Sequence, residues 1–166
     1  MALKTDIRGM GWQYPDTYVV GREKVREFAK AVQAEDPASY HEEAAAELGY
    51  DNIVAPLTFV SILAKLVQND FFRNVDVGLE AMQIVQVDQK FFFHKPVLAG
   101  DKLHARMDIH SVTERFGADI VVTKNICTND AGEVVLESYT TLMGHEGDDS
   151  IQLKWDMETG QVIRTA

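Results

Sequence analysis

Apolar residues recur at helical spacing in two segments of the first half of the chain. The first segment follows Gly21 and has a single apolar stripe with charged residues on its other faces, which predicts an amphipathic helix. The second runs from Leu57 to about Phe72 and is apolar on almost every face, which predicts a helix buried on most sides. The stripe of the first helix consists of Val25, Phe28, Ala29 and Val32.

A shorter helix is predicted between these two. The polar break at Glu35-Asp36-Pro37 ends the first helix, because a residue before proline avoids helical geometry. Ser39 with Glu42 three residues later has the capping-box pattern, so we expect Ser39 to be the N-cap of the next helix. Gly49 is the expected C-terminal stop.

The second half of the chain changes to a period of two, which is typical of strands. Residues 103–109 alternate between apolar and polar, as a half-solvated antiparallel strand does. Residues 120–122 and 134–136 are two more apolar runs, and Asn129-Asp130-Ala131-Gly132 between them is a hairpin signal. An earlier strand is predicted from Met82 to Phe93.

These elements describe an α+β fold in which an antiparallel sheet wraps around one apolar helix, and the hotdog fold is the best-known architecture of this kind. We expect a single hotdog domain over residues 1–145 and a polar surface extension over 146–166 that helps to cover a neighbouring subunit. A sheet of so few strands has open edges, which commonly pair with a second copy or a relative. The sequence therefore predicts a dimer.

Composition narrows the classes of partner. The 166 residues include 16 basic and 26 acidic ones, and the formal charge of −10 argues against nucleic acid or an anionic membrane. Cys127 is the only cysteine, which excludes an intrachain disulfide and a thiolate zinc site. No stretch has the length of a membrane span or the pattern of a signal peptide. We expect a soluble, cytoplasmic protein.

Three stretches resemble the MaoC-like group of R-specific enoyl hydratases and dehydratases. They are FAKAV at 28–32 with the acidic loop after it, IVAPLTF at 53–59 and HKPVLAGDKL at 94–103. The resemblance covers roughly the first 145 residues. MALKTDIRGM at 1–10, MQIVQVDQ at 82–89 and TERFGADIVVTKN at 113–125 are most similar to the HadC-type subunits of mycobacterial (3R)-hydroxyacyl-carrier-protein dehydratases.

This resemblance implies a function. A HadC-type chain is expected to pair with a related HadB-type hotdog subunit in the cytoplasm. The pair would remove water from (3R)-hydroxyacyl chains on acyl carrier protein, in the fatty-acid synthase II elongation of mycolic-acid precursors. No cofactor and no metal are implied.

The catalytic motif of the group has the form G-D-x-N-P-x-H, and Asp36 and His41 stand at its Asp-to-His spacing. Removing the α-proton of a thioester and expelling its β-hydroxyl needs a base of near-neutral pKa and a second group that handles water. By resemblance, His41 would be the base and Asp36 the group that handles water. Pro37 also permits a register one residue earlier, which would place Glu35 and Tyr40 at the two sites.

The chain departs from the motif at other positions. Ala38-Ser39 replace its Asn-Pro, and Pro56-Leu57 replace the His-Gly of catalytic members, whose glycine N–H is the oxyanion donor in the family. Ala-Pro-x-Thr-Phe at 55–59 is similar to the non-catalytic members. The leading hypothesis is therefore a subunit that completes the dimer and shapes the acyl tunnel, while its partner supplies the catalytic pair. The expected tunnel residues are Pro56, Leu57, Thr58 and Phe59.

Other functions remain open from the sequence. The chain could be a self-sufficient homodimeric hydratase that uses Asp36 and His41, or a protein that binds acyl thioesters without turnover. A hotdog thioesterase usually has a carboxylate on the central helix, where the only acid is Asp70, at the far end. The substrate is expected on acyl carrier protein or on CoA, and an acidic carrier protein would need cations on which to dock. The available ones are Lys90, Lys95, Lys102, Arg106 and Arg115, so the partner could provide the docking surface.

Overall fold

The computed structural model describes residues 3–78, 82–146, 152–156 and 161–165, the last two ranges through their backbone. Three α-helices and two 3-10 turns occupy the first half of the chain, and strands occupy most of the second half. The helical elements are α1 (Arg22–Ala31), a 3-10 turn (Pro37–Ser39), α2 (Glu42–Glu47), a second 3-10 turn (Leu57–Val60) and α3 (Ser61–Asn74). The strands are β1 (Gly11–Gln13), β2 (Tyr18–Val19), β3 (Met82–Phe93), β4 (Lys102–Arg115), β5 (Ala118–Thr128), β6 (Val134–Glu146), β7 (Gln152–Asp156) and β8 (Gln161–Thr165).

The main sheet is antiparallel and has the strand order β1-β4-β5-β6-β3, with β2 also paired to β4. One face of this sheet and the helix α3 share a single hydrophobic core. Leu63, Val67 and Phe71 of α3 and Leu103 and Met107 of β4 are fully buried in it. An antiparallel sheet packed on a central helix confirms the predicted α+β hotdog fold.

The four predicted strands are present: β3 has the predicted bounds, whereas β4, β5 and β6 extend further than predicted. Buried and more exposed residues alternate along β4, with Leu103 and Ala105 inside and His104 and Arg106 outside. Gly132 has a φ of +77° and closes the hairpin between β5 and β6 by donating its N–H to the Asn129 carbonyl. This left-handed backbone favours glycine.

The central helix differs from the prediction at its start and on one flank. The residues 57–60 form a 3-10 turn, so α3 begins only at Ser61. Lys65, Leu66 and Asn69 are exposed, because the sheet covers only one side of the helix. Trp12 of β1 fixes the far end of α3 by donating from Nε1 to Asp70 Oδ2 over 2.8 Å.

The prediction that Ser39 caps α2 is wrong. The N-cap is His41, whose side chain makes no capping hydrogen bond, and Ser39 lies two residues earlier in the 3-10 turn. Ser39 is buried, and its hydroxyl donates to the Val54 carbonyl instead. A buried carbonyl without a donor is costly, and this outweighs a cap on an exposed helix end. Gly49 ends α2 as predicted, with a φ of +84°.

The C-terminal extension contains a hairpin that the sequence did not indicate. β7 pairs with β8 in antiparallel register, with Trp155 opposite Val162. Whether this extension covers a neighbouring subunit stays a prediction. Within the described ranges, no helix is both long and apolar enough to cross a membrane.

Candidate functional site

Hydrogen bonds bring the three family-like stretches together at the start of the central helix. Val54 N–H donates to the Ala38 carbonyl over 2.9 Å, and the Ser39 hydroxyl donates to the Val54 carbonyl over 2.8 Å. On the other side, Ala55 N–H donates to the Val97 carbonyl over 2.8 Å. The segment at 53–55 thus lies between the turn that carries the candidate catalytic pair and the turn that precedes β4.

Asp36 and His41 lie at the two ends of this turn, and both are exposed. Asp36 is the N-cap of the 3-10 turn, and its Oδ1 accepts from Ala38 N–H over 2.9 Å. His41 has extended backbone at the N-cap of α2, and its ring lies 6.5 Å from the ring of Tyr40. A catalytic base is usually oriented by a third group. Among the described residues, no hydrogen bond to the His41 ring provides such an orientation.

The alternative register places Glu35 and Tyr40 at the key positions. Glu35 is exposed, whereas the Tyr40 hydroxyl donates to the Ala34 carbonyl over 2.8 Å. The Tyr40 carbonyl in turn accepts from Arg26 Nε of α1 over 2.9 Å. Both polar ends of Tyr40 therefore hold the turn in place, which accounts for this residue without a catalytic role.

The four predicted tunnel residues face different surroundings. Leu57 is 70% exposed and Thr58 is also exposed, while Pro56 is half-buried. Phe59 is only 1% exposed, and its ring packs edge-on against Phe28 with the centroids 5.4 Å apart. The N–H groups of Leu57 and Thr58 open the 3-10 turn and so have no partner within it. The side chain of Leu57 stands beside them, where the catalytic motif has glycine.

A groove that the sequence did not indicate runs between the exposed flank of α3 and the edge strand β3. Its volume is about 380 Å³, and most of the side chains that line it are polar. We call it the amide groove, after Gln68 and Asn69 of α3 and Gln86 and Gln89 of β3; Lys65 and Thr140 also line it. The spacing of Ser61, Lys65, Gln68 and Asn69 on one face of a helix was the available signal.

Comparisons with known proteins agree with this geometry. Residues 8–138 match the family model described as FAS1-like, dehydratase domain region. A UPF0336 protein of Mycobacterium tuberculosis (Rv0637) is 75% identical over 166 residues, which is 100% of both chains. This chain belongs to the FAS1-like dehydratase family. The description of this family agrees with the dehydratase expected from the sequence.

Two solved structures confirm the resemblance of this chain to the MaoC-like group and its HadC-type subunits. A chain of the C-terminally truncated HadBC (3R-hydroxyacyl-ACP dehydratase) complex from Mycobacterium tuberculosis is 74% identical, with a TM-score of 0.81. The match covers 85% of this chain and 99% of that one. A structure described as a MaoC-like dehydratase is 39% identical with a TM-score of 0.81, over 89% of this chain and 44% of the other.

The cations that could meet an acidic carrier protein are mostly matched by carboxylates in this FAS1-like chain. Four of the five form ion pairs on the surface, and Arg115 is exposed. The pairs are Lys90–Asp88, Lys95–Glu133, Lys102–Asp130 and Arg106–Asp108. The Lys95 ammonium group beside Glu133 also lowers the pKa of that carboxyl. Paired cations attract an acidic partner weakly, so these positions form no strong docking patch.

Neither Asp70 nor Cys127 has the surroundings of a reactive group. The Asp70 carboxylate is held by the indole N–H of Trp12, which leaves it poorly placed as a thioesterase nucleophile or base. Burial raises the pKa of the Cys127 thiol to about 12, so the thiolate form is rare at neutral pH. Within the described ranges, no cluster of three His, Cys, Asp or Glu side chains could hold a metal ion.

Proposed function

We propose that this chain is one subunit of a heterodimeric dehydratase that acts on (3R)-hydroxyacyl thioesters during fatty-acid elongation. The observation that carries the proposal is the 74% identity, over nearly the whole of that chain, to a chain of the HadBC complex. The partner is a related HadB-type hotdog subunit, and the substrate is bound to acyl carrier protein or to CoA. The single buried cysteine suits a reducing compartment, so we place the complex in the cytoplasm.

The exposed edge of strand β3 is evidence for a partner subunit. It is 12 residues long and lies at one end of the sheet order, where its outer edge is free to pair. Four of its apolar side chains, Ile84, Val85, Val87 and Phe92, are 40–55% exposed. A long apolar edge strand promotes aggregation unless another chain covers it. Pairing of β3 with the corresponding strand of a second hotdog subunit would remove this exposure.

The turn geometry supports a catalytic pair in the partner. Dehydration needs a base that removes the α-proton and a second group that protonates the departing hydroxyl. His41 and Asp36 are both exposed, and the Asp36 carboxylate is engaged by Ala38 N–H rather than by His41. Leu57 further crowds the N–H groups that would stabilise the thioester oxygen. In this proposal the chain completes the dimer and the substrate site, and HadB-type residues transfer the protons.

The ion pairs on this chain are evidence that the carrier protein docks on the partner subunit. A formal charge of −10 repels an acidic carrier protein. The four cations reduce this repulsion little, because each is already paired with a carboxylate. The partner subunit therefore provides the basic surface. Charge reversal at Arg115 and Lys102 is expected to leave the kinetics with acyl carrier protein unchanged. A large rise in KM for the carrier-bound substrate, with CoA substrates unaffected, would instead place the docking site on this chain.

The proposal is tested by hydration of a medium-length trans-2-enoyl-CoA, the reverse of the dehydration. The chain is purified alone and in complex with its co-expressed partner, as wild type and as Asp36→Asn and His41→Ala. We expect turnover only by the complex, with the two substitutions changing the rate by less than about twofold. His145→Ala, an exposed histidine at the far end of β6, is the matched control.

The alternatives give different results in the same assay. Loss of a general base costs about 10²–10⁴ in rate. Turnover by the chain alone that both substitutions abolish would identify a self-sufficient homodimeric hydratase. Binding of the thioester without turnover, alone and in the complex, would identify a binding protein.

A further inference from the structure

The amide groove has a polar floor beneath the central helix. Gln89 Nε2 donates to Thr140 Oγ1 over 3.3 Å, and Thr140 is fully buried. Gln68 and Gln86 add their carboxamides to this lining. The groove therefore presents amide donors and acceptors as well as the Gln89–Thr140 contact.

This lining does not suit an alkyl chain. A hydrocarbon in the groove would exclude water from the carboxamides of Gln68, Gln86 and Gln89 and would offer them no hydrogen bonds in return. A suitable ligand has both donors and acceptors and little charge, because each carboxamide presents two donors and an acceptor. Among the described residues that line the groove, Lys65 alone is ionisable. An extended ligand with secondary amides matches this set.

We infer that the amide groove binds the pantetheine arm of the thioester substrate, rather than its acyl chain. This inference rests on the proposed function, and it names the part of the substrate that this subunit holds. The arm carries two secondary amides and a hydroxyl group, and it is the same on CoA and on acyl carrier protein. The groove borders β3, the strand on which the partner docks, so a bound arm runs along the seam between the subunits. Its thioester end is then within reach of groups from both subunits.

The test compares carriers that contain different lengths of the arm. The complex hydrates one enoyl group attached to CoA, to acyl carrier protein and to N-acetylcysteamine, which keeps only the amide nearest the sulfur. The variants are Gln68→Leu and Gln86→Leu, which keep side-chain bulk and remove the carboxamide. Gln83→Leu is the matched control, because Gln83 is an exposed glutamine of β3 that does not line the groove.

We expect each groove variant to raise KM about fivefold for the CoA and carrier-protein substrates, as the loss of one hydrogen bond does. The KM for the N-acetylcysteamine thioester and all kcat values stay unchanged. An equal rise for all three carriers, or a rise that grows with acyl length, would overturn the inference and make the groove an acyl site. Dissociation of the complex in size-exclusion chromatography would overturn it in favour of partner side chains in the groove.

A binding measurement separates this inference from the proposed function. An unreactive alkyl-CoA thioether is titrated into the complex by calorimetry, which needs no turnover. If the wild-type complex shows no hydration yet binds the thioether, and the glutamine variants weaken that binding about fivefold, the dehydratase proposal fails and the arm site stands. If the complex turns over enoyl-CoA but the variants bind the thioether as tightly as wild type, the arm site fails and the dehydratase proposal stands.

Discussion

Phe59 and Leu57 lie two residues apart on the turn before the central helix, and the structure predicts opposite consequences for truncating them. Phe59 is 1% exposed and packs against Phe28 and Tyr18, with ring centroids 5.4 and 6.4 Å away. Leu57 is 70% exposed. Both were expected from the sequence to line the acyl tunnel. Their place in a tunnel stays a prediction, while their burial predicts that Phe59 contributes to stability and that Leu57 does not.

The magnitude follows from burial. Phe59→Ala removes a fully buried ring and leaves a cavity, which costs about 3–5 kcal/mol in the free energy of unfolding. About 0.5–1.5 kcal/mol of this comes from the edge-on contact with Phe28. Leu57→Ala removes a side chain that is mostly in water, so it changes the unfolding free energy by less than about 0.5 kcal/mol.

Urea unfolding of the complex measures both effects, and an unchanged m value shows that only stability has altered. Phe59→Leu is included in case the alanine variant fails to fold, and it should fall between wild type and Phe59→Ala. The reasoning is refuted if Phe59→Ala costs less than about 1 kcal/mol and also changes KM in a way that depends on acyl length. That result would place the ring in the tunnel wall rather than in the core.

Three further predictions follow from two hydrogen bonds and one buried thiol. Ser39→Ala lowers the free energy of unfolding by about 1–2 kcal/mol, because the Val54 carbonyl loses its donor; an unaltered urea midpoint would contradict this. Asp70→Ala costs a similar amount through the lost Trp12 contact and Asp70→Asn costs less, as urea unfolding followed by tryptophan fluorescence can show. Folding raises the pKa of the Cys127 thiol from 9.0 to about 12, so its contribution to stability is intact below pH 9 and is lost between pH 9 and 12. Relative to Cys127→Ala, wild-type stability should fall by at most about 1.4 kcal/mol per pH unit in that window, and parallel curves would contradict the burial.

The sequence predicted the fold well because burial on one face of a sheet produces a period of two. The alternation around Leu103 and Met107 could be predicted without knowing which residues they contact, because every second side chain of the strand faces the core. The hairpin at Asn129–Gly132 was equally local. The central helix was predicted less well, because a 3-10 turn and an α-helix share nearly the same apolar spacing. Its start at Ser61 depends on how the chain enters after Pro56.

The candidate site was predicted only in part. The spacing of Asp36 and His41 placed them in one turn, but whether their side chains meet depends on contacts from distant segments. Ser39 shows the difficulty, because its partner Val54 is 15 residues away and a local capping rule cannot anticipate it. The amide groove was missed for the same reason. Gln68 and Gln86 come from a helix and a strand, and their polarity alone indicates an ordinary exposed surface.

The turn at 36–41 shows how a subunit of this family could lose catalysis and keep its fold. The contacts that hold the turn come from the Ser39 hydroxyl, the Ala38 carbonyl and the two polar ends of Tyr40. Among the described residues, the His41 side chain makes no hydrogen bond, and Asp36 contributes one exposed cap. The chemistry at these two positions could therefore change with little effect on stability. The shape of the turn is kept because residues 53–55 bond to it on one side and to the turn that precedes β4 on the other.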